Sequence, residues 1–351
     1  MRLEEIVEPL LGWYAENARD LPWRREVTPY RVWISEIMLQ QTRVEAVKGY
    51  FARFLSALPG PAELASADER ELLKLWEGLG YYSRARNLQK AAKVIMETHG
   101  GELPASREAL LTLPGVGPYT AGAVASIAFG LPEPAVDGNV LRVLSRLTAD
   151  GSDIADPAVR RAAEKTVRGI IPAGRAGAFN QALMELGATV CAPNGPPACG
   201  RCPLAGLCEA HAAGKETAYP VKAAKKARRV EERTVLLLVR DELIALRRRP
   251  AKGLLAGLWE LPNLPGALGG ADAVEAARAL GLAPLRVEPL GPAKHIFTHI
   301  EWHMTGYRVT VEEAQAGEGL EWIDPRGLRE DYPLPSAFSA YLAPCLAPGG
   351  A

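Results

Sequence analysis

Residues 106–130 read SREALLTLPGVGPYTAGAVASIAFG, and how this stretch folds decides how the first half of the chain folds. Ser106 to Leu111 predicts a short helix, Leu113-Pro-Gly-Val-Gly a tight turn, and Pro118 the first position of a second helix that Gly130 stops. Gly115 and Gly117 carry no Cβ, so amides in the turn can approach an anion closely. The N-terminus of the following helix adds a field that favours a phosphate. A helix–hairpin–helix unit of this kind holds a nucleic-acid backbone without reading its bases. The same residues also fit a plain interhelical turn.

To either side, residues 1 to about 190 predict helix almost throughout. Leu3, Ile6, Val7, Leu10, Leu11 and Tyr14 recur at helical spacing. Thr28 before Pro29 and Asp156 before Pro157 predict N-caps, and Gly78 and Gly100 predict stops. Thr42-Arg-Val-Glu45 and Ser66-Ala-Asp-Glu69 predict capping boxes. The spans between these signals are short, which predicts an all-α domain of about ten helices.

The chain has 351 residues, enough for two domains at about 100–200 residues each. The helical domain is expected over 1–212, with the helix–hairpin–helix at about 106–130. A basic linker, 213–230, lies within HAAGKETAYPVKAAKKARRVEER and has no apolar face. It reads either as a solvated tether or as one that also touches a polyanion. Beyond it, TVLLLVRDELIALRRR and HMTGYRVTVEEA read with period two as strands, so 231–345 is expected to be α+β.

Hydrophobic residues make up 48% and charged residues 23%, the balance of a soluble globular protein. No run approaches the ~18 apolar residues of a membrane span, and no secretory signal opens the chain. A cytoplasmic site is expected, at the nucleoid in a bacterium, or a nuclear or organellar one after import. The net charge is zero, which is silent about nucleic acid because a neutral total can hide a basic face.

Four of the five cysteines form the cluster loop 191–208, spaced Cys191-x7-Cys199-x2-Cys202-x5-Cys208, while Cys345 stands apart. Without a secretory signal such a cluster predicts metal binding rather than disulfides. Four thiolates this close can surround zinc or an iron–sulfur cubane. Zinc usually takes two tight pairs, and one C-x-x-C favours iron–sulfur.

Two carboxylates stand out. Glu36, in SEIMLQQT, lies among Val32, Trp33, Ile34, Ile37 and Met38, where an acid must be paired, neutralised or used. Asp137, in VDGNV, opens a helix and could be a simple N-cap. A desolvated acid has a raised pKa and can donate a proton near neutrality. An ionised partner can stabilise positive charge on a sugar, and the pair suits breaking a glycosidic bond.

SEIMLQQT, GLGYYSRARNL, LPGVGPYTAG, VDGNV and the four cysteines, in this order over residues 1–210, resemble the helix–hairpin–helix DNA glycosylases. With the C-terminal half included, the chain resembles the MutY-type adenine-specific branch of the endonuclease III-like superfamily. That resemblance implies removal of adenine opposite 8-oxoguanine or guanine in double-stranded DNA, by a monomer that carries a 4Fe–4S cluster on Cys191, Cys199, Cys202 and Cys208. It implies Glu36 as the acid that protonates adenine at N7, and Asp137, with Asn139 beside it, as the stabiliser of the oxocarbenium-like sugar. Tyr119 contributes to the pocket. It stands where endonuclease III-like relatives carry a Schiff-base lysine, so the expected product is an abasic site in an intact strand. Gln40, Gln41 and Thr42 are implied to enter the base stack, with Tyr81 as the aromatic wedge beside 8-oxoguanine. Gly115 and Gly117 would grip the backbone. The family has six residues between its first two cysteines, whereas Ala192–Ala198 makes seven here.

Residues 253–282 resemble the strand–loop–helix of a Nudix pyrophosphatase, but Ala279-Leu280-Gly281 follows Arg278 where metal-binding glutamates belong. A recognition module is expected, with Phe297, Thr298 and His299 approaching 8-oxoguanine from the opposite side of the duplex. His295, His299 and His303 recur every four residues but lie on strand-like sequence, which points to the surface or to DNA rather than to a metal. A glycosylase for thymine or oxidised pyrimidines and a noncatalytic DNA- or nucleotide-binding protein stay open. The first leaves the C-terminal domain unexplained, and the second leaves Glu36 and Asp137 unexplained.

Overall fold

The structure, a computed structural model, describes residues 2–223, 227–312 and 319–346. It divides into two compact units, Met1–Ala67 with Arg86–Ala224 and Asp68–Ala85 with Lys225–Ala351. The uninterrupted 1–212 domain expected from sequence is therefore split, because Asp68–Ala85 packs with the C-terminal unit. Residues 213–223 of the expected linker fold with the first unit, and residues 224–226 lie outside those described.

The first unit is helical. Its N-terminal part holds α1 (Val7–Asn17), α2 (Pro22–Arg25), α3 (Pro29–Leu39), α4 (Val44–Ala57) and α5 (Pro61–Ser66). After α6 (Glu69–Leu75), which belongs to the other unit, follow α7 (Ser83–Thr98), α8 (Arg107–Leu110) and α9 (Pro118–Phe129). The unit closes with α10 (Gly138–Leu147), α11 (Pro157–Ile170), α12 (Ala176–Thr189) and α13 (Glu209–Ala212). One core joins α1, α10 and α12 through Leu10, Leu141, Phe179 and Leu183, each 3% exposed or less.

The caps at Thr28 and Asp156 form, accepting from Arg31 N at 3.2 Å and Ala158 N at 2.7 Å. The two capping boxes do not. Thr42 lies in the turn after α3, and α4 starts from Arg43 without a side-chain cap. Asp68 caps α6, while the Ser66 hydroxyl is drawn back to the Ala62 carbonyl four residues earlier.

The hairpin between α8 and α9 is tight. Gly115 has φ 77°, and a Cβ there would lie 2.7 Å from Asn87 Cβ. Within α9 the backbone of the following segment presses closer still. A Cβ on Gly122 would sit 1.9 Å from the Pro134 carbonyl oxygen, so only glycine lets residues 131–136 cross the helix here and deliver Asp137.

The second unit is a mixed sheet in the order β3-β2-β1-β6-β5. Its strands are β1 (Arg229–Arg240), β2 (Leu243–Arg248), β3 (Trp259–Glu260), β4 (Asn263–Pro265), β5 (Pro284–Ile296), β6 (Ile300–Val311) and β7 (Leu320–Ile323). β1 and β6 run parallel from Arg229↔Ile300 to Val239↔Thr310. Val235, Leu237 and Val239 face one core, Leu236 and Leu238 the other. TVLLLV is thus a central strand covered on both faces, and only its packing, not its polarity, has period two. α14 (Gly270–Ala279) covers one face, while α15 (Pro325–Glu330) and α16 (Ser339–Leu346) cover the other. No helix among the described residues is long and apolar enough to cross a membrane.

Candidate active site

An open cavity of about 680 Å³ in the first unit is lined by parts of α3, α10, α12 and the first turn of α9. Glu36 enters it from α3. Val32, Trp33, Ile34, Ile37 and Met38 are all buried around that helix, so no solvent face receives the acid, and Glu36 is itself only 6% exposed. The Tyr119 hydroxyl donates a short hydrogen bond to Glu36 Oε2 and lies 3.3 Å from Met184 Sδ. Burial pushes the Glu36 carboxyl up to about 7. The bond from Tyr119 pulls against it, the Asp137 charge adds to it, and Arg24 opposes. With Oε2 occupied by the phenol, Oε1 is the oxygen left to hand a proton to something in the cavity.

Asp137 caps α10. Its Oδ1 accepts from Asn139 N at 2.9 Å and Val140 N at 2.8 Å, and its Oδ2 accepts from Asn139 Nδ2 at 2.7 Å. Burial raises its pKa above the usual aspartate value, while these three donors and Arg142 work against that rise. The donors serve the ionised form. Asp137 thus caps α10 and lines the cavity at the same time.

Asn139 passes the network on. Its Oδ1 accepts from Arg142 Nη2 at 2.7 Å, and Arg142 also donates to the carbonyls of Gly187 at 2.6 Å and Cys191 at 2.8 Å. Arg146, one turn later, donates to Cys191 Sγ at 3.2 Å. The cysteine loop is thus fastened to the same helix that displays Asp137.

The other functional group in the cavity is one that sequence reasoning missed. Glu185 on α12, 1% exposed, accepts from Arg19 Nε at 2.6 Å and Arg24 Nη2 at 2.9 Å. Burial alone would raise its pKa, but these guanidinium bonds outweigh it and hold the carboxylate at about 2. A buried acid in LMELGATV was the available signal, with RDLPWRR supplying the cations.

The four cysteines carry free thiols and come together beside the first core. Burial pushes Cys202 up to about 11, backbone N–H from Leu204 opposes, and the sulfurs of Cys191, Cys199 and Cys208 raise it further. Amides of Ala210 and His211 point at Cys208 in the same way. Four thiols packed together, with N–H groups aimed at Cys202 and Cys208, fit a cationic centre held as thiolates. The Ala192–Ala198 loop absorbs its seven residues by closing Ala198 N onto the Val190 carbonyl at 3.0 Å. Cys199 also lies close to His211 and Glu216, near enough for the three to share an ion.

Residues 34–168 match the HhH-GPD superfamily of base excision DNA repair proteins, and residues 234–343 match the NUDIX domain. The adenine DNA glycosylase of Mus musculus is 37% identical over 90% of this chain and 73% of its own length. That of Buchnera aphidicola subsp. Baizongia pistaciae is 35% identical over 73% of each. The chain belongs to the adenine DNA glycosylases. Among solved structures, a thermostable thymine-DNA glycosylase is 30% identical at TM-score 0.55, covering 60% of this chain and 97% of that one. An endonuclease III–DNA covalent intermediate is 26% identical at TM-score 0.52, covering 62% and 99%.

For an adenine DNA glycosylase, the remaining residues divide between the units. In the first, Gln40 Nε2 donates to Thr120 Oγ1 at 3.4 Å, whereas Gln41 is exposed with a left-handed φ of 59°. In the second, Tyr81 is 46% exposed with φ 46°. Left-handed backbone at a non-glycine residue costs about 1–3 kcal/mol and concentrates at functional sites. The turn between β5 and β6 holds Phe297, Thr298 and His299. Phe297 packs edge-on against Trp302 at 5.0 Å and anchors the turn, leaving Thr298 and His299 exposed. Thr298 Oγ1 lies 2.8 Å from the Tyr81 hydroxyl, within the unit that Asp68–Ala85 shares with this sheet. His303, on β6, bonds Glu301 Oε1 at 2.8 Å, and His295 stacks edge-on to Phe297.

Proposed function

We propose that this glycosylase excises adenine paired with 8-oxoguanine or guanine in double-stranded DNA, leaving an abasic site in an intact strand. The observation that carries the chemistry is Glu36, buried beside Asp137 with its carboxyl raised to about 7. The flipped adenine enters the cavity, and Glu36 donates its proton to N7, which makes the base a neutral leaving group. Asp137, whose ionised form Asn139 and the α10 amides favour, stabilises the cationic sugar, and water completes the hydrolysis. Tyr119 orients Glu36 and offers no amine, so strand cleavage through a Schiff base has no nucleophile at that position. Gln41 and Tyr81 are the exposed side chains for insertion into the stack, at a cost of a few kcal/mol for flipping that stacking offsets. Gly115 and Gly117 give the hairpin amides to the backbone.

Tyr81 and Thr298, with His299 next to them, form the group that would read the opposite base. The 8-oxo base offers O8 and N7–H where guanine has neither, and paired hydroxyls can both accept and donate. Cys191, Cys199, Cys202 and Cys208 would hold the 4Fe–4S cluster, which when bound ties the loop together through iron–sulfur bonds. Duplexes carrying A opposite 8-oxoguanine, A opposite G and A opposite T, incubated with the protein and then treated with alkali, test the reading. The expected order of cleavage is that in which they are named, with uncut strands before alkali. Equal release from A·T sinks the mispair reading.

A further inference from the structure

The chain leaving the first unit is not slack. Arg146, 4% exposed, donates through Nε to the carbonyls of Glu216 at 2.9 Å and Tyr219 at 3.0 Å, fixing the stretch that follows the cysteines. His211 Nδ1 lies 2.5 Å from Glu216 Oε1 and braces the same stretch. Two residues past Tyr219, Val221 forms a parallel bridge to Asp153, and its carbonyl accepts from Ile154 N at 3.2 Å. Backbone held as far as Val221 sets where the next side chain starts.

That residue is Lys222, exposed and among those lining the cavity that contains Glu36 and Asp137. Arg160, in the first turn of the helix that begins just after Ile154, lines it too. Its Nη1 donates to the carbonyl of Val136 at 2.7 Å, one residue before Asp137. The cavity's cations otherwise have partners. Arg19 and Arg24 are tied to Glu185, and Arg142 to Asn139 and two carbonyls. Among the described residues, Lys222 has no ion-pair partner.

An ammonium at this rim cannot help the sugar, since positive charge develops there and the two would repel. The anion that DNA brings beside a flipped nucleotide is its own phosphate, and an ammonium at this rim is free to meet it. We infer that Lys222 binds a backbone phosphate flanking the nucleotide turned into the cavity, which makes the start of the interdomain linker part of the DNA-binding surface. This rests on the chain's being a DNA glycosylase and is independent of which mispair it reads.

The test uses the full-length protein, K222Q and K222R, with a duplex carrying a tetrahydrofuran abasic analogue opposite guanine, so that nothing turns over. Affinity is measured from about 50 to 200 mM KCl. Losing one phosphate contact should make the slope of log K against log salt shallower by about 0.9 in K222Q, and arginine should restore it. Binding by K222Q at the lowest salt should be weaker by about fivefold to tenfold. A lysine that merely props the linker would leave the slope unchanged, and that result overturns the assignment. Borohydride capture of the wild type, but not K222R, on a natural abasic duplex would also overturn it, by placing the amine at the sugar aldehyde. Wild-type binding without any salt dependence would instead bring down the DNA-binding premise itself.

Discussion

Glu36 is 6% exposed and Tyr81 46%, and these two residues stand for two kinds of site in one chain. In the cavity the three acids are buried and each is answered by another group, Glu36 by Tyr119, Asp137 by Asn139 and two amides, Glu185 by two arginines. Around Thr298 the groups face outward on a turn, with Phe297 alone packed beneath. Enclosure is what moves a pKa, so chemistry belongs to the first site. Exposure leaves donors and acceptors for a partner, so on the function proposed above reading would fall to the second. Variants should separate along that line.

The largest effect is expected from Glu36→Gln. Glutamine keeps the shape and cannot donate the acid proton, so single-turnover base release should fall by about 10²–10⁴, the usual weight of a general acid, with duplex binding retained. Wild-type-like release would remove Glu36 from the mechanism. Asp137→Asn should follow at about 10²–10³, because the amide oxygen still caps α10 while the charge facing the sugar is lost. Unchanged melting with reduced release would separate this from a folding defect. Loss of melting stability in proportion to activity would return Asp137 to a plain cap.

That contrast also explains what the sequence disclosed. Glu36 was legible because five apolar neighbours on its own helix left it no solvent face, a local signal needing no knowledge of the fold. The pairing of Glu185 with Arg19 and Arg24 was not, since the partners lie 166 and 161 residues apart and nothing in LMELGATV names them. Capping boxes failed for a local reason. Thr42 and Ser66 match the pattern, but an aspartate two residues past Ser66 is a stronger acceptor, and Thr42 is taken up in the turn carrying Gln41. Least legible was the loyalty of Asp68–Ala85. Lys74 Nζ donates to the carbonyl of Tyr332 at 3.0 Å, and Glu77 accepts from Leu334 N at 2.7 Å, contacts across more than 250 residues. Cutting the chain after residue 223 would strip those partners as well as the reading turn, so point changes are the cleaner probe.

A third effect is in pH. Glu36 must be protonated to act, so base release should decline through about 7 as pH rises, by about tenfold per unit well above it. The Tyr119 hydrogen bond lowers that pKa, and Tyr119→Phe should therefore move the alkaline limb to higher pH. A limb that stays in place would mean that another group sets it.

The smallest effect should be the most informative about reading. Tyr81→Phe and Thr298→Ala each delete one of two hydroxyls 2.8 Å apart, leaving the aromatic ring and the turn in place. Neither touches the cavity, so release of adenine opposite guanine should stay within about twofold of wild type, as for a surface change worth under 0.5 kcal/mol. Preference for 8-oxoguanine over guanine should drop by about fivefold in each, the weight of one hydrogen bond near 1 kcal/mol. If the two hydroxyls act as one unit, the double variant loses no more than either single one, because removing the first already breaks the pair. Multiplying losses would mean two independent contacts with the base. No loss in any of the three would move the reading of 8-oxoguanine away from this turn and from Tyr81 together.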